Sequence, residues 1–254
     1  MDLTQTGSAR ARAEETRKGR NPATPLRYSR MFARVFYFAL GFFFRARISA
    51  LRVRGVERAR AQLDAQTPLV LVSAHLGWWD GFVLAWIFAR LRPGAPLYTI
   101  MLERELGPRP FLRLLGGVGI DPAQPRSLLR VLTALTAQKR SDWGVSFFPQ
   151  GKILPSWARP LRFQPGIQWV LERVKASGSQ VQWIPIGMHS EPFTQPSPEI
   201  WVSLGEVRTT IDPLSEIELA VQAELDRIQA WIATQGERAS VRAADAGFET
   251  VGPA

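Results

Sequence analysis

Short apolar segments alternate with longer amphipathic ones along most of this chain, from Leu69 to Thr234. The short segments have the length and composition of buried strands, and the longer ones have the spacing of helices that cover a sheet. Strands that alternate with helices favour a parallel sheet with helices on both of its faces. The sequence therefore predicts the α/β class, with a mostly parallel central sheet flanked by helices.

The elements predicted from this alternation cover most of the chain. The predicted strands are Leu69–Ser73, Leu97–Met101, Val118–Asp121, Gly144–Pro149, Gln182–Gly187 and Ile200–Leu204. The predicted helices are Leu26–Ala50, Val56–Leu63, Trp78–Leu91, Pro108–Leu115, Ser127–Gln138, Gly166–Ala176 and Leu214–Thr234. Ligands of such sheets bind at the carboxyl ends of the strands, so we expect a functional site there.

Four regions are predicted within the 254 residues. Residues 1–25 are polar, basic and interrupted by proline, which predicts a disordered basic tail. Residues 26–64 form an N-terminal helical segment that associates with a membrane, and residues 65–236 form the α/β domain. Residues 237–254 are rich in alanine and charge, and we expect a flexible C-terminal tail.

The membrane association is predicted from the segment Met31–Phe44, which contains six phenylalanines and is followed by Arg45 and Arg47. Aromatic rings flanked by arginine are typical of a helix that lies in a membrane interface. The alternative is a helix that packs on the core and leaves its arginines in water. The segment is shorter than the roughly 18–20 apolar residues that a spanning helix needs.

The net charge of +10 indicates an anionic partner, such as lipid head groups, nucleic acid or a phosphorylated substrate. We expect no nucleic acid partner, because the basic residues cluster around the phenylalanine-rich segment and no nucleic-acid motif is present. The chain has no cysteine, which excludes disulfides and thiolate metal sites.

His75 and Asp80 are the most informative candidates for chemistry. They follow the predicted strand Leu69–Ser73 and precede the helical pattern of Phe82–Leu91. A carboxylate one helical turn after a histidine can orient its ring, and the oriented ring can then take a proton from a hydroxyl. The alternative is a strand-end histidine that merely caps the next helix. The chain has only two histidines, so few other groups could do acid–base chemistry near neutral pH.

Two further strand ends carry candidate binding residues. After the second strand, Arg104, Arg109 and Arg113 could hold an anionic head group, unless they are simply solvated. At the end of the fourth strand is the turn Phe148-Pro149-Gln150-Gly151-Lys152. In this turn Gly151 permits a tight bend, Gln150 could form a hydrogen bond to a ligand, and Lys152 could meet a phosphate.

The order of these segments resembles the glycerolipid acyltransferase family, the 1-acylglycerol-3-phosphate O-acyltransferases. The resemblance rests on His-x4-Asp at 75–80, a Glu-Leu loop ending in Gly-x-Gly-Ile-Asp at 117–121, Phe-Pro-x-Gly at 148–151 and Ile-Pro-Ile-Gly at 184–187. Four motifs in one order are more specific than any of them alone. The resemblance implies lipid metabolism, phospholipid biosynthesis in particular, through acyl transfer from a thioester to a hydroxyl.

By position, the resemblance implies that His75 is the catalytic base and that Asp80 orients it. It assigns Phe148, Pro149 and Gly151 to the acceptor site, where we also place Gln150, Lys152 and Arg104. The chain departs from the family at Gln150, where glutamate is usual, and at Ala74, where asparagine is usual.

Two arginine positions of the family hold Pro122 and Ile153 instead. In the family these arginines bind the acceptor's phosphate. Two acceptor classes are therefore open: a lysophospholipid, or a glycolipid or other lipid without that phosphate. We expect an acyl-CoA or an acyl carrier protein as co-substrate, membrane lipids as partners, and no metal or other cofactor. We expect a peripheral or monotopic protein on the cytoplasmic face of a membrane. The alternative is a non-catalytic lipid-binding protein.

Overall fold

A computed structural model describes residues 26–177 and 180–251. Within this part the elements, in chain order, are α1 (Arg30–Arg47), β1 (Ala50–Arg54), α2 (Val56–Gln62), β2 (Leu69–Ser73), α3 (Asp80–Leu91), β3 (Leu97–Leu102), α4 (Glu103–Leu106), α5 (Phe111–Leu114), β4 (Gly117–Ile120), α6 (Pro125–Thr136), β5 (Gly144–Phe147), α7 (Gly166–Ala176), β6 (Gln182–Glu191), β7 (Glu199–Leu204), α8 (Leu214–Gln235) and β8 (Glu249–Val251). The predicted tail 1–25 lies outside the described residues.

The described strands form one sheet in the order β4-β3-β5-β2-β6-β7-β1-β8. The strands from β4 to β6 pair in parallel, and the pairs β6–β7 and β1–β8 are antiparallel. The prediction of a mostly parallel central sheet flanked by helices is therefore confirmed. β2 lies at the middle of the parallel part and is buried along its whole length, so a residue that follows it emerges at the centre of the carboxyl edge.

Helices cover both faces of the sheet and form two core clusters. Alternate residues of β2 divide between them, because successive side chains of a strand point to opposite faces. Val70 and Val72 pack under α6, α7 and α8, whereas Leu69 and Leu71 pack under α1 and α3. His75 continues the second set in register, which places it on the side of the sheet that α1 covers.

Two parts of the structure differ from the predicted regions. β1 belongs to the central sheet, although it falls in the segment 26–64 that was predicted to be helical. Its side chains alternate, with Leu51 and Val53 buried and Arg52 paired with Glu199 of β7, 3.2 Å away. The α/β fold therefore begins before residue 65.

The second difference concerns the predicted flexible tail from residue 237. Residues 237–251 form two short 3-10 turns and then β8, which pairs with β1. Phe248 is 2% exposed and packs edge-on against Trp201 with ring centroids 5.0 Å apart. Burial of this ring orders the segment, and residues 252–254 lie outside the described residues.

Gly187 of β6 sets the distance between the sheet and α8. A Cβ atom at this position would lie 2.4 Å from the backbone carbon of Glu224 and 2.4 Å from the backbone nitrogen of Leu225. We expect Gly187→Ala to lower the free energy of unfolding by about 1–3 kcal/mol, because α8 must move away from the sheet. Urea unfolding measures the change. Gly81→Ala is the matched control, since its nearest neighbour is 3.9 Å away. Equal midpoints for the two variants would contradict this packing.

Candidate active site

The site lies where β2 and β5 end side by side. The two strands are parallel neighbours, so the residues that follow them meet at one edge of the sheet. His75 follows β2 and Phe148 follows β5. Their rings stack with centroids 4.5 Å apart and an angle of 26° between the ring planes. The structure therefore brings together the first and third motifs, which are more than 70 residues apart in sequence.

Asp80 orients His75 as the spacing predicts. The Nδ1 atom of His75 lies 2.9 Å from Oδ2 of Asp80. The same oxygen accepts hydrogen bonds from the backbone N–H groups of Leu76, at 2.5 Å, and Gly77, at 2.9 Å. Asp80 is the first residue of α3, where the helix dipole favours a negative charge. Four favourable interactions therefore fix the carboxylate, and the carboxylate fixes the ring.

The other ring nitrogen of His75 remains available. In the described part of the chain Nε2 of His75 forms no hydrogen bond, and the side chain is 27% exposed, against 11% for Asp80. A carboxylate acceptor at Nδ1 favours the tautomer with the proton on that nitrogen, which leaves a lone pair on Nε2. The pair can therefore accept a proton from a hydroxyl that approaches the exposed side.

Gln150 contacts His75 through the backbone. Its Oε1 atom accepts a hydrogen bond of 2.7 Å from the N–H of His75, and the side chain is buried. Sequence reasoning placed Gln150 among the acceptor-binding residues. In the structure its carbonyl oxygen is instead engaged in holding the histidine in place.

We expect Gln150→Ala to reduce acyl transfer by about 10–100-fold, because the backbone of His75 loses its anchor and the base is displaced. Gln150→Glu retains an oxygen at the same position, and we expect it to stay within about threefold of the wild type. Steady-state rates with a common donor and acceptor measure both. Equal rates for Gln150→Ala and the wild type would show that the anchor is unimportant.

Gly151 closes the turn that carries Phe148, Pro149 and Gln150. Its φ angle is +65°, and its N–H donates to the carbonyl oxygen of Phe148 at 3.1 Å. A left-handed residue at this position favours glycine. No atom lies within 4 Å of the place where a Cβ would stand. Backbone conformation, and not lack of space, therefore calls for glycine here.

The predicted cations of the acceptor site form no hydrogen bond or ion pair with His75 in the described part of the chain. Lys152 is exposed and forms no hydrogen bond or ion pair within residues 26–177 and 180–251. Arg104 has a side chain that is 79% exposed and lies 3.7 Å from Glu105. Arg109 comes closer to the histidine loop, because its guanidinium lies 4.5 Å from the ring centroid of Trp78. Arg109 was one of three arginines named from sequence, and the fold alone distinguishes it.

The aromatic residues after His75 mostly pack against α1. Trp79 lies 5.2 Å from Phe43 and Phe82 lies 5.7 Å from Phe36, measured between ring centroids. These two rings form part of the packing between α1 and the segment that follows His75. Trp86 lines a cavity of about 160 Å³ together with Val83. α1 is therefore held directly over the segment that carries the site.

The outer face of α1 is apolar. Met31, Val35, Phe38 and Phe42 recur at helical spacing on this face and are 77%, 65%, 65% and 56% exposed. On the inner side, burial raises the pKa of Tyr37 well above its usual value, so its phenol stays neutral. No described helix is long and apolar enough to cross a membrane.

Three side chains form a second polar group that sequence reasoning missed. The first of them, His189, lies in β6. Its Nδ1 atom is 2.9 Å from Oγ of Ser156, and its Nε2 atom is 3.1 Å from Oε2 of Glu191. Ser156 stands more than 30 residues away from its partner, so no local pattern in the sequence announces this contact.

The model of the family described as Acyltransferase matches residues 50–189. The chain belongs to this family. The matched range runs from β1 to β6 and includes His75, Asp80 and the turn at 148–151, so the resemblance drawn from the motifs is confirmed. Membership identifies the chain as an O-acyltransferase and supports lipid acyl transfer in general terms.

Comparison with curated proteins finds no match. Among solved structures, the chain is similar to the 1-acyl-sn-glycerophosphate (LPA) acyltransferase of Thermotoga maritima. The identity is 12%, the TM-score is 0.44, and 70% of each chain is covered.

Proposed function

We propose that the protein transfers a fatty acyl chain from an acyl thioester to a hydroxyl of a lysophospholipid or a related lipid. The observation that carries the proposal is the oriented imidazole: Nδ1 of His75 is held by Asp80, Nε2 forms no hydrogen bond among the described residues, and the side chain is partly exposed. This arrangement suits a general base for a neutral hydroxyl.

In the proposed reaction Nε2 of His75 removes the proton of the acceptor hydroxyl as its oxygen attacks the thioester carbonyl. The new C–O bond forms, the C–S bond breaks, and the thiolate leaves with the proton that His75 returns. Asp80 stabilises the imidazolium that exists between these steps. No enzyme nucleophile is needed, so the acyl chain passes directly from donor to acceptor.

The developing oxyanion needs hydrogen-bond donors. The N–H groups of His75 and Gly151 already donate to Gln150 and Phe148. The N–H groups of Lys152 and Ile153 form no hydrogen bond in the described part of the chain. We propose that these two groups, next in sequence to the glycine turn, supply the oxyanion site.

Two candidates are proposed for the head group of the acceptor. Lys152 and Arg104 are the cations that sequence reasoning assigns to it, and Arg109 adds a third above Trp78. A lysine supplies one point charge, without the two parallel hydrogen bonds of arginine. Since Pro122 and Ile153 stand where the family has arginine, a glycolipid or another acceptor without a phosphate is the second candidate.

We propose a peripheral or monotopic location on the cytoplasmic face of a membrane. The exposed apolar face of α1 supports it, together with the arginines at the end of that helix. Aromatic rings at headgroup level and guanidinium groups at lipid phosphates stabilise such an attachment. The donor is then an acyl-CoA or an acyl carrier protein delivered from the aqueous side.

Acyl transfer by the purified protein tests the proposal. Mixed acyl-CoA and acyl carrier protein donors are offered with lysophospholipids and glycolipids in liposomes, and products are read by mass. We expect one acceptor class to be acylated. A product with a phosphate-bearing acceptor would favour Lys152 and the arginines as its binders, and a glycolipid product would favour the second candidate. Lipid binding without any product would support a non-catalytic protein.

A further inference from the structure

The loop between β5 and α7 exposes two large apolar side chains. Ile153 is 56% exposed and Trp157 is 74% exposed. A tryptophan is seldom left this open in a folded chain, because its large ring gains much from burial. The proposed chemistry uses neither of these side chains, so their exposure needs another explanation.

This loop is attached to the catalytic histidine on both sides of Ile153. The N–H of Leu154 donates to the carbonyl oxygen of His75 at 2.9 Å. Gln150, near the start of the loop, accepts from the N–H of His75. A surface formed by Ile153 therefore lies next to the place where the acceptor hydroxyl must arrive.

The loop is also fastened to the sheet, so that Trp157 projects from a fixed backbone. Ser156, the residue before it, bonds to His189, and His189 is held in turn by Glu191. Ser156 is 9% exposed, in contrast to its neighbour Trp157. The contrast between these two exposed fractions shows that the loop packs against the sheet while the indole ring of Trp157 remains exposed.

α8 adds further attachments along the same loop. The carbonyl oxygen of Ser156 accepts from Arg159 at 2.7 Å and from Gln229 of α8 at 3.0 Å. The carboxylate of Glu218, also in α8, accepts from the N–H groups of Arg162 and Phe163. Because the loop is ordered by these bonds, little further ordering is needed when it binds a partner.

The charge of the loop points to an anionic surface. No aspartate or glutamate lies between Asp142 and Glu172, whereas Lys152, Arg159 and Arg162 fall in that stretch. The side chains of Lys152 and Arg162 are exposed and form no ion pair in the described part of the chain. Exposed bases beside an indole and an aliphatic side chain match the anionic head groups and upper acyl region of a bilayer.

We propose that this loop is a second membrane-contacting element, which inserts Ile153 and Trp157 into the interface of an anionic lipid bilayer beside His75. The inference rests on the proposed function, because it names the surface through which that site meets its lipid. α1 attaches the protein to the membrane, and the loop brings the catalytic edge of the sheet to the same interface.

Vesicle binding by the full chain tests the loop. The probes are sucrose-loaded phosphatidylcholine vesicles with and without phosphatidylglycerol, read by sedimentation. We expect the double variant Ile153→Ser, Trp157→Ser to bind the anionic vesicles about tenfold more weakly than the wild type. Val241→Ser is the matched control, because Val241 is 89% exposed in the C-terminal segment, outside this loop. We expect that control to bind as the wild type does.

Fluorescence quenching gives a second readout, which reports insertion separately from affinity when both proteins are measured at saturating lipid. Vesicles with brominated acyl chains should quench the wild type more than Trp157→Phe, because the missing emission is that of the inserted ring. Equal binding of the double variant and the wild type, equal quenching of the two proteins, or no binding by the wild type would each overturn the inference.

The outcome for the loop is separable from the outcome for the reaction. If acyl transfer is found and depends on His75 while the double variant binds vesicles normally, the loop inference fails and the proposed function stands. If the double variant binds weakly but no donor and acceptor pair gives product, the membrane surface stands and the proposed function fails.

Discussion

Replacing His75 with alanine is expected to reduce acyl transfer by about 10²–10⁴-fold, equivalent to about 3–5 kcal/mol of activation free energy. The change removes the proposed base, whose side chain is partly exposed and whose Nδ1 atom is held by Asp80. Rates with saturating donor and acceptor measure the effect. The free energy of unfolding should change by no more than about 1 kcal/mol, because the ring is partly exposed and packs mainly on Phe148.

His189→Ala is the matched control for this variant, since it removes the other histidine of the chain. His189 lies on the face of β6 that packs toward α8, bonded to Ser156 and Glu191. We expect it to keep acyl transfer within about tenfold of the wild type. Full acyl transfer by His75→Ala would exclude the proposed mechanism. Equal losses in both variants would point to general damage of the fold.

Asp80→Asn is expected to lower the rate by about 10²–10³-fold with little change in KM, because a neutral amide stabilises the imidazolium poorly and no longer fixes the tautomer. The size of the side chain is retained, so Leu76 and Gly77 can still donate to an oxygen at that position. Separate measurement of kcat and KM gives the test. Asp121→Asn is the control at another strand end, where the carboxylate accepts, among the described residues, from Ala123 and Gln124.

The double variant decides whether the two residues act as one unit. If Asp80 acts through His75, His75→Ala combined with Asp80→Asn should be no slower than His75→Ala alone. Losses that simply multiply would assign Asp80 a separate role, and the orienting function would be wrong.

The regular elements could be predicted well because each one has a local periodicity of apolar residues that is visible in the sequence. β2 and α7 have the predicted bounds, Leu69–Ser73 and Gly166–Ala176. The helix predicted at Pro108–Leu115 was less accurate. The structure has α4 before it and α5 within it, since Pro108 and Pro110 cannot continue a helix that began upstream.

The structure near the two ends of the described chain is harder to predict, because these segments fold by pairing or packing with residues that are distant in sequence. β1 has the alternating apolar residues Leu51 and Val53, but it directly follows a long helix, and the sequence prediction placed it in the helical segment 26–64. The segment from 237 has few large apolar residues, and one of them, Phe248, orders it by packing against Trp201. The amino-acid composition of the segment does not reveal a single contact of this kind, and therefore it predicts a flexible tail.

The sequence by itself determined the class of fold, the family and the pairing of His75 with Asp80, because these depend on the alternation of elements, on the order of motifs along the chain and on a spacing of about one helical turn. The tertiary structure alone decided that Gln150 anchors His75, that Arg109 and not Arg104 approaches the histidine loop, and that α1 packs over the site. It also decided that Ser156 and His189 fasten a loop which leaves Trp157 exposed. Each of these contacts joins residues that are far apart in sequence, and only the packing of the elements determines which of them meet.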